Sequence, residues 1–257
     1  MKTVILCGGR GTRLYPDTEL RPKPIVEVGK HPILWHIMKI YSHYKFNEFV
    51  LALGYKGEEI KKYFTDYSIR SGNIHLNLST DPTDLERNHS KNWQIELIDT
   101  GMDTLTGGRL ARLESHLRDT GTFMLTYGDG LADINVKELV KFHKSHGKFA
   151  TVTAVRPIGR FGVLKLEDDN VIDFHEKPQA SEGWINGGYF VFEPEVFNYL
   201  GGDDTVLEGN PMEQLAQDGQ LMAYKHHSFW HCMDTPRDRD ELNEMWSNQQ
   251  SKWKVWK

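Results

Sequence analysis

The segment Gly8-Gly9-Arg10-Gly11-Thr12-Arg13-Leu14 stands directly behind a short apolar run at the N-terminus. Three glycines at such a place let the backbone pass close to a phosphate and expose successive N–H groups, which together make an anion-binding nest. Arg13 adds a planar fork of donors matched to phosphate oxygens. Further on, Arg21-Pro22-Lys23-Pro24 holds a lysine between two prolines. Their fixed φ leaves Lys23 little freedom to lose on binding. A stiff cation one loop away from a glycine nest fits a triphosphate cradle. The plain alternative is a tight strand-to-loop turn with a surface arginine. Two familiar phosphate motifs fail on spacing. No Gly-x-x-x-x-Gly-Lys-[Ser/Thr] exists, and a Gly-x-Gly-x-x-Gly dinucleotide fingerprint breaks at Leu14.

Two isolated acids could hold a divalent cation. Asp129 lies in Thr126-Tyr127-Gly128-Asp129-Gly130, just past an apolar run, and Asp234 follows Phe229-Trp230-His231-Cys232-Met233. Magnesium takes a few carboxylates together with waters and substrate phosphate oxygens, and two acids from distant segments suit it. Each also has an ordinary explanation: Asp before Gly is often a turn, and Asp before Thr can cap a helix. On the other side of the chain, Phe174-His175-Glu176-Lys177-Pro178 could bind a sugar phosphate, Glu176 accepting from hydroxyls and Lys177 meeting the phosphate. A solvated charge pair at a strand end is the simpler account of those two residues. Trp184-Ile185-Asn186-Gly187-Gly188-Tyr189 adds an amide and two glycines at the start of another apolar run. His231 and Cys232 are not taken as metal ligands.

These residues need a scaffold, and the hydrophobic pattern supplies one. Apolar runs at 3–7, 49–53, 93–98, 123–127 and 151–155 alternate with helix-period segments at 33–44, 58–64 and 134–146. Strands alternating with helices imply a mostly parallel sheet with right-handed crossovers. After Pro157 the pattern changes to short strands at 163–166, 171–174 and 189–192, followed by helical segments at 212–217 and 239–246. The expected fold is α/β and Rossmann-like. Its central sheet is mixed but mostly parallel, is flanked by helices, and gains short strands in the C-terminal half. With no Gly/Ser/Pro-rich linker, residues 1–257 are read as one domain. Residues 81–92 are polar and patternless and are expected to form a surface loop.

The bulk composition narrows the function. Among 257 residues, 31 basic and 36 acidic side chains leave a net charge of −5, which disfavours general nucleic-acid binding. A mean hydropathy of −0.55 and the absence of a long apolar run argue against a membrane protein. Met1 to Cys7 is too short for a secretion signal, and two cysteines do not make a disulfide scaffold. The cytoplasm is the expected compartment.

Gly-Gly-x-Gly-Thr-Arg-Leu with a downstream Pro-Lys-Pro resembles the signature of the sugar nucleotidyltransferases, which join a nucleotide to a sugar 1-phosphate and release pyrophosphate. The resemblance implies a Mg2+ ion held by Asp129 and Asp234, with Arg13, Lys23, Lys177 and Asp129 carrying the chemistry. It places the nucleotide against Leu6, Gly8, Gly9, Gly11, Thr12, Arg13 and Lys23. Thr100, Gly101, Gly107, Arg109 and Gly128 complete that side, Arg109 on the phosphates. The sugar phosphate falls to Tyr127, Arg160, Glu176, Lys177, Asn186 and Gly187. Residues 1–155 would thus form the nucleotide half, and 156–257 the sugar-phosphate half with any subunit contacts.

Where thymidylyl- and uridylyl-transferring branches tend to carry Gly-Leu-Ala-Gln, this chain has Thr106-Gly107-Gly108-Arg109-Leu110. Together with Lys23 to Val28, Pro32 to Met38 and Thr126 to Gly130, that segment is similar to the cytidylyl-transferring branch over nearly the whole chain. The implied substrates are CTP and glucose 1-phosphate, serving deoxysugar synthesis for surface polysaccharide, and the implied assembly is a homo-oligomer. Cys7 departs from the alanine usual in the family. A relative using dTTP or UTP is the nearest alternative. A Rossmann oxidoreductase is disfavoured by Leu14, and a non-catalytic nucleotide sensor by the presence of Lys23, Lys177, Asp129 and Asp234 together.

Overall fold

The computed structural model describes residues 1–70, 92–157, 163–167, 170–175 and 183–256. Its centre is a seven-stranded sheet of β1 (Lys2–Leu6), β2 (Glu48–Leu53), β3 (Gln94–Asp99), β4 (Phe123–Tyr127), β5 (Ala150–Val155), β6 (Ile185–Phe192) and β7 (Leu221–Lys225). The strands lie in the order β7-β5-β6-β4-β1-β2-β3. Every neighbouring pair is parallel except the two made by β6, which runs against both β4 and β5.

The apolar runs are continuous because both faces of the sheet are covered. Along β1 and the residue that follows it, Ile5 and Cys7 pack into one core cluster while Val4 and Leu6 pack into the other. The same alternation sends Phe49, Leu51 and Leu53 of β2 to the first cluster and Val50 and Ala52 to the second. The longer described helices flank the sheet: α1 (Ile33–His43), α2 (Gly57–Arg70), α3 (Thr106–Arg112), α4 (Val136–His146), α5 (Asn210–Gln217) and α6 (Pro236–Ser247). Two of them have chemically marked ends. The Asn135 side chain accepts from the backbone N–H groups of Lys137 and Glu138, and Gly147, at φ 63°, closes α4. Thr235 and Asp238 form a reciprocal capping box at α6. Thr235, not Asp234, is therefore the cap, and the Asp234 carboxylate stays available for other partners.

Most expected elements appear within a few residues of their anticipated bounds, including the antiparallel pair Val163–Glu167 and Asn170–His175. Two elements differ from expectation. The strand β7, Leu-Met-Ala-Tyr-Lys, is not among the expected ones; it lies at the sheet edge, where its four apolar residues are half-buried or exposed. The glycine-bearing segment 106–112, for which no element is anticipated, is the helix α3. Residues 81–91 of the anticipated loop lie outside the described residues.

The C-terminal tryptophans belong to the body of the protein. Trp253 is fully buried and Trp256 nearly so, both against α1. They enclose His36, whose Nε2 donates to the Val28 carbonyl at 2.9 Å while its Nδ1 accepts from Trp253 Nε1 at 3.3 Å. Both cysteines are free thiols. No helix among the described residues is long and apolar enough to cross a membrane.

Candidate active site

The two acids meet because a short ribbon brings their segments together. Gly130–Ala132, just past β4, pairs antiparallel with Trp230–Cys232, and the Met233 N–H donates to the Asp129 carbonyl at 2.9 Å. Asp129 and Asp234 thus face one another across the C-terminal end of the sheet, where open α/β sheets bind their ligands. Lys23 stands between them. Its Nζ donates to Asp129 Oδ2 at 2.7 Å and to Asp234 Oδ1 at 2.6 Å. The lysine sits in the tight turn Lys23–Ile25 behind Pro22, and only 9% of the residue is exposed. Burial alone would lower its pKa, but the Asp129 charge and hydrogen bonds to both acids raise it overall, so the ammonium stays charged. Arg13 Nη1 reaches Asp234 Oδ2 at 2.5 Å while most of its side chain remains in solvent.

This arrangement fits a divalent cation. Two carboxylates from distant segments are already aimed at one cationic centre, the lysine ammonium. Cys232 Sγ lies within 4.8 Å of ligand oxygens of both acids. Burial, with the Asp129 charge, holds its thiol protonated. His231, Asp238 and Glu241 form a second close group. Its members are explained by internal bonds: His231 pairs with Glu241 at 3.3 Å, Glu241 with Arg237 at 2.9 Å, and Asp238 completes the α6 cap.

The glycine turn is built around Arg109, whose residue is 4% exposed. Its Nη1 donates to the Leu53 carbonyl at 3.0 Å, the Thr100 hydroxyl at 2.9 Å and the Gly101 carbonyl at 2.6 Å. Its Nη2 donates to the carbonyls of Gly8 at 3.0 Å and Met102 at 3.3 Å. Arg109 therefore ties the ends of β1, β2 and β3 to one another. With these five acceptors satisfied inside the protein, the residue also lines the cavity described below. A Cβ on Gly8 would lie 2.2 Å from Arg109 Cζ, and one on Gly54 would lie 2.4 Å from Nη1. Gly11 has another reason to be glycine, a φ of 61° beside Thr18 and Lys23, whereas a Cβ on Gly9 would meet nothing within 4 Å. Helix α3 carries Gly107 and Gly108 because the backbone of residues 203–205 crosses it. A Cβ added to Gly108 would lie 2.6 Å from the Asp203 carbonyl oxygen.

A cavity of about 500 Å³ opens over these groups. Of the residues expected at the nucleotide, Leu6, Gly8, Gly9, Gly11, Arg13, Lys23, Arg109 and Gly128 line it, as do Asp129 and Asp234. Tyr127, Asn186 and Gly187, the residues expected at the sugar phosphate, also line it. Thr12, Thr100, Gly101 and Gly107 are not in the wall. Thr100 and Gly101 serve Arg109, Thr12 sits in the turn Thr12–Leu14, and Gly107 packs on Thr205. Arg160, Glu176 and Lys177 lie outside the described residues. Sequence reasoning misses Thr104, Thr106, Trp230 and Cys232 as wall residues, and also Glu208, which bonds to two of the wall's hydroxyls.

A mostly parallel sheet with a glycine turn after its first central strand, and two acids gathered on a lysine over a cavity at the carboxyl ends, defines an α/β protein with a charged cleft. Comparison with known proteins identifies its kind: the family model described as nucleotidyl transferase matches residues 2–235, and the chain belongs to that family. It is 47% identical over 257 residues to a Bacillus subtilis protein named "Probable glucose-1-phosphate cytidylyltransferase". It is 44% identical over 256 residues to the glucose-1-phosphate cytidylyltransferase of Salmonella typhi, and both matches span the whole of each chain. The crystal structure of HddC from Yersinia pseudotuberculosis shares the fold, with a TM-score of 0.69 at 20% identity, covering 95% of this chain and 99% of that one.

Proposed function

We propose that this chain transfers a cytidylyl group from CTP to α-D-glucose 1-phosphate, giving CDP-glucose and pyrophosphate. The observation that carries the chemistry is the buried Lys23 ammonium joining Asp129 and Asp234 at 2.7 and 2.6 Å beside the glycine turn. The choice of cytosine and glucose is supported by the full-length relatives that bear those substrates in their names.

An oxygen of the sugar phosphate attacks the α-phosphorus, a new P–O bond forms, and the bond from the α-phosphorus to the bridging oxygen breaks to release pyrophosphate. The attacking oxygen is already anionic at neutral pH, so no protein base is needed. The protein's task is to position two polyanions and neutralise their repulsion. Lys23 brings a charged ammonium to the phosphates from a turn fixed by prolines. Arg13, whose guanidinium is mostly in solvent, can turn from Asp234 to the departing phosphates. Asp129 and Asp234 would hold Mg2+, which when bound supplies further neutralisation of phosphate oxygens. Arg109 acts one layer back, fixing the turn that offers Gly8, Gly9 and Gly11. Lys177, Glu176 and Arg160 complete the sugar-phosphate side in this proposal. The enzyme is taken to work in the cytoplasm as a homo-oligomer, which sedimentation would check.

Pyrophosphate release measured with each of four triphosphates against a set of hexose 1-phosphates tests the assignment. The expected outcome is strong preference for CTP with glucose 1-phosphate and loss of release under EDTA. Equal release with dTTP or UTP would move the chain to another branch of the family. Undiminished release under EDTA would remove the metal.

A further inference from the structure

Glu208 lies between β6 and α5, and its carboxylate bridges cavity residues from separate parts of the chain. Thr106 Oγ1 donates to Oε2 at 2.7 Å, and Tyr127 Oη donates to Oε1. Asn186 is oriented by the Gly188 N–H, which donates to Oδ1 at 2.8 Å, so Nδ2 faces Tyr127 and donates to its oxygen at 3.2 Å.

The direction of these bonds matters more than their number. An ionised carboxylate only accepts, so both hydroxyl protons point at Glu208 and both hydroxyl oxygens are left with lone pairs alone. Thr106 uses a lone pair on the Leu207 N–H at 2.9 Å. Tyr127 Oη takes one bond from Asn186 and retains acceptor capacity toward the cavity it lines. A carboxylate near the mouth of a phosphate-binding cavity is otherwise unfavourable, because it repels both substrates. It is compatible with binding if the phosphates stay at the Lys23 end and this end meets hydroxyl groups.

We propose that Glu208 is a positioning residue for the acceptor substrate: it holds Tyr127 as a hydrogen-bond acceptor, so that this end of the cavity takes a hydroxyl of a hexose 1-phosphate and turns the phosphate toward Lys23. The proposal deepens the nucleotidyltransferase assignment and rests on it. Glu208 itself need not touch the sugar. Its effect passes through the direction of the Tyr127 proton.

Glu208→Gln tests this, because its amide keeps the shape but offers one acceptor and one donor where two hydroxyls need acceptors, forcing one of them to turn. KM for glucose 1-phosphate is expected to rise tenfold or more, while KM for CTP stays within twofold and the melting temperature within a few degrees. Among 2-, 3-, 4- and 6-deoxy glucose 1-phosphates, one is expected to lose tenfold or more in kcat/KM with wild type and to match the parent sugar within twofold in the variant. Tyr127→Phe should behave alike, and the double variant should be no worse than the poorer single one. Unchanged kinetics would overturn the proposal. So would a rise in the CTP KM alone, which would give the hydroxyl to the ribose, or a joint loss in both KM values and melting temperature, which would make Glu208 structural. The comparison works with whichever triphosphate and hexose 1-phosphate wild type uses, and can be repeated as hexose 1-phosphate affinity by thermal shift. A wrong substrate assignment therefore appears in the wild type, and a wrong role for Glu208 in the ratio between variant and wild type.

Discussion

The guanidinium of Arg109 occupies the space that a side chain at position 8 would need: a Cβ on Gly8 would fall 2.2 Å from its Cζ. Position 8 is glycine because a buried cation passes beneath it, while position 9, with nothing within 4 Å of its missing Cβ, is free of that constraint. Two adjacent glycines of one motif thus answer to different forces.

Alanine at each position should separate those forces. Gly8→Ala must displace Arg109 and is expected to lower stability by about 2 kcal/mol or more, as overpacking a filled interior does. Gly9→Ala should leave stability within about 0.5 kcal/mol, the usual range for a surface change, yet raise the KM for CTP if its N–H group approaches a phosphate. Urea unfolding and steady-state kinetics on both variants read this out. Equal stability losses would sink the distinction.

Arg109→Lys keeps the charge but cannot span five acceptors in a planar fork. Buried carbonyls would lose their donor, at a cost of about 1–3 kcal/mol each where water cannot replace it. The expected result is a clear fall in the urea midpoint together with a raised CTP KM. A variant with native stability and weakened nucleotide binding would instead return Arg109 to direct phosphate contact.

Lys23→Ala should leave a folded protein whose turnover is reduced by about 10²–10³, the scale of losing one preorganised charge partner at a reacting centre. Asp129 and Asp234 would then repel each other with Arg13 alone to compensate, so Mg2+ should raise the variant's melting temperature more than it raises that of wild type. Near-normal turnover would take Lys23 out of the chemistry.

His36 gives a pH prediction remote from the cavity. Burial, assisted by the His31 charge, lowers its pKa from 6.5 to about 4 despite the Val28 hydrogen bond. The unfolded chain therefore binds this proton more readily than the folded one. Stability from the neutral ring is complete above pH 6.5 and is lost as pH falls toward 4. At roughly 1.4 kcal/mol per pH unit that window is worth about 3 kcal/mol. Urea midpoints between pH 4 and 7 should fall less steeply for His36→Gln than for wild type; parallel curves would contradict the assignment.

How much of this is legible in the sequence depends on burial. Val4 to Leu6 and Val50 to Leu53 announce themselves because both faces of β1 and β2 are covered. The edge strand β7 is hidden because Leu221 to Tyr224 is an apolar run of only four residues, too short for its periodicity to tell a strand from the end of the preceding helical segment. Gly107 and Gly108 mask α3, since the backbone crossing that requires them comes from residues 203–205 and leaves no local trace. Lys23, Asp129 and Asp234 can each be singled out by type and flanking residues. Their meeting cannot, because it depends on a three-residue ribbon between Gly130–Ala132 and Trp230–Cys232. Arg109 receives its phosphate role from resemblance alone, and its internal acceptors at Gly8, Leu53, Thr100, Gly101 and Met102 are not legible, because they come from three segments that no local pattern joins. Glu208 sits in a run without any motif and is invisible.

The strand β6 runs opposite to its neighbours and lies between β4 and β5. Its beginning, with Asn186, therefore reaches the same rim as the end of β4, with Tyr127. A strand coded after residue 155 is thus threaded into a sheet whose other members are mostly coded before it. A fragment stopping at 155 would leave β5 with neither lateral neighbour. Donor and acceptor specificities accordingly cannot be exchanged between relatives as cassettes joined at that point; such chimeras must match along both seams of one shared strand.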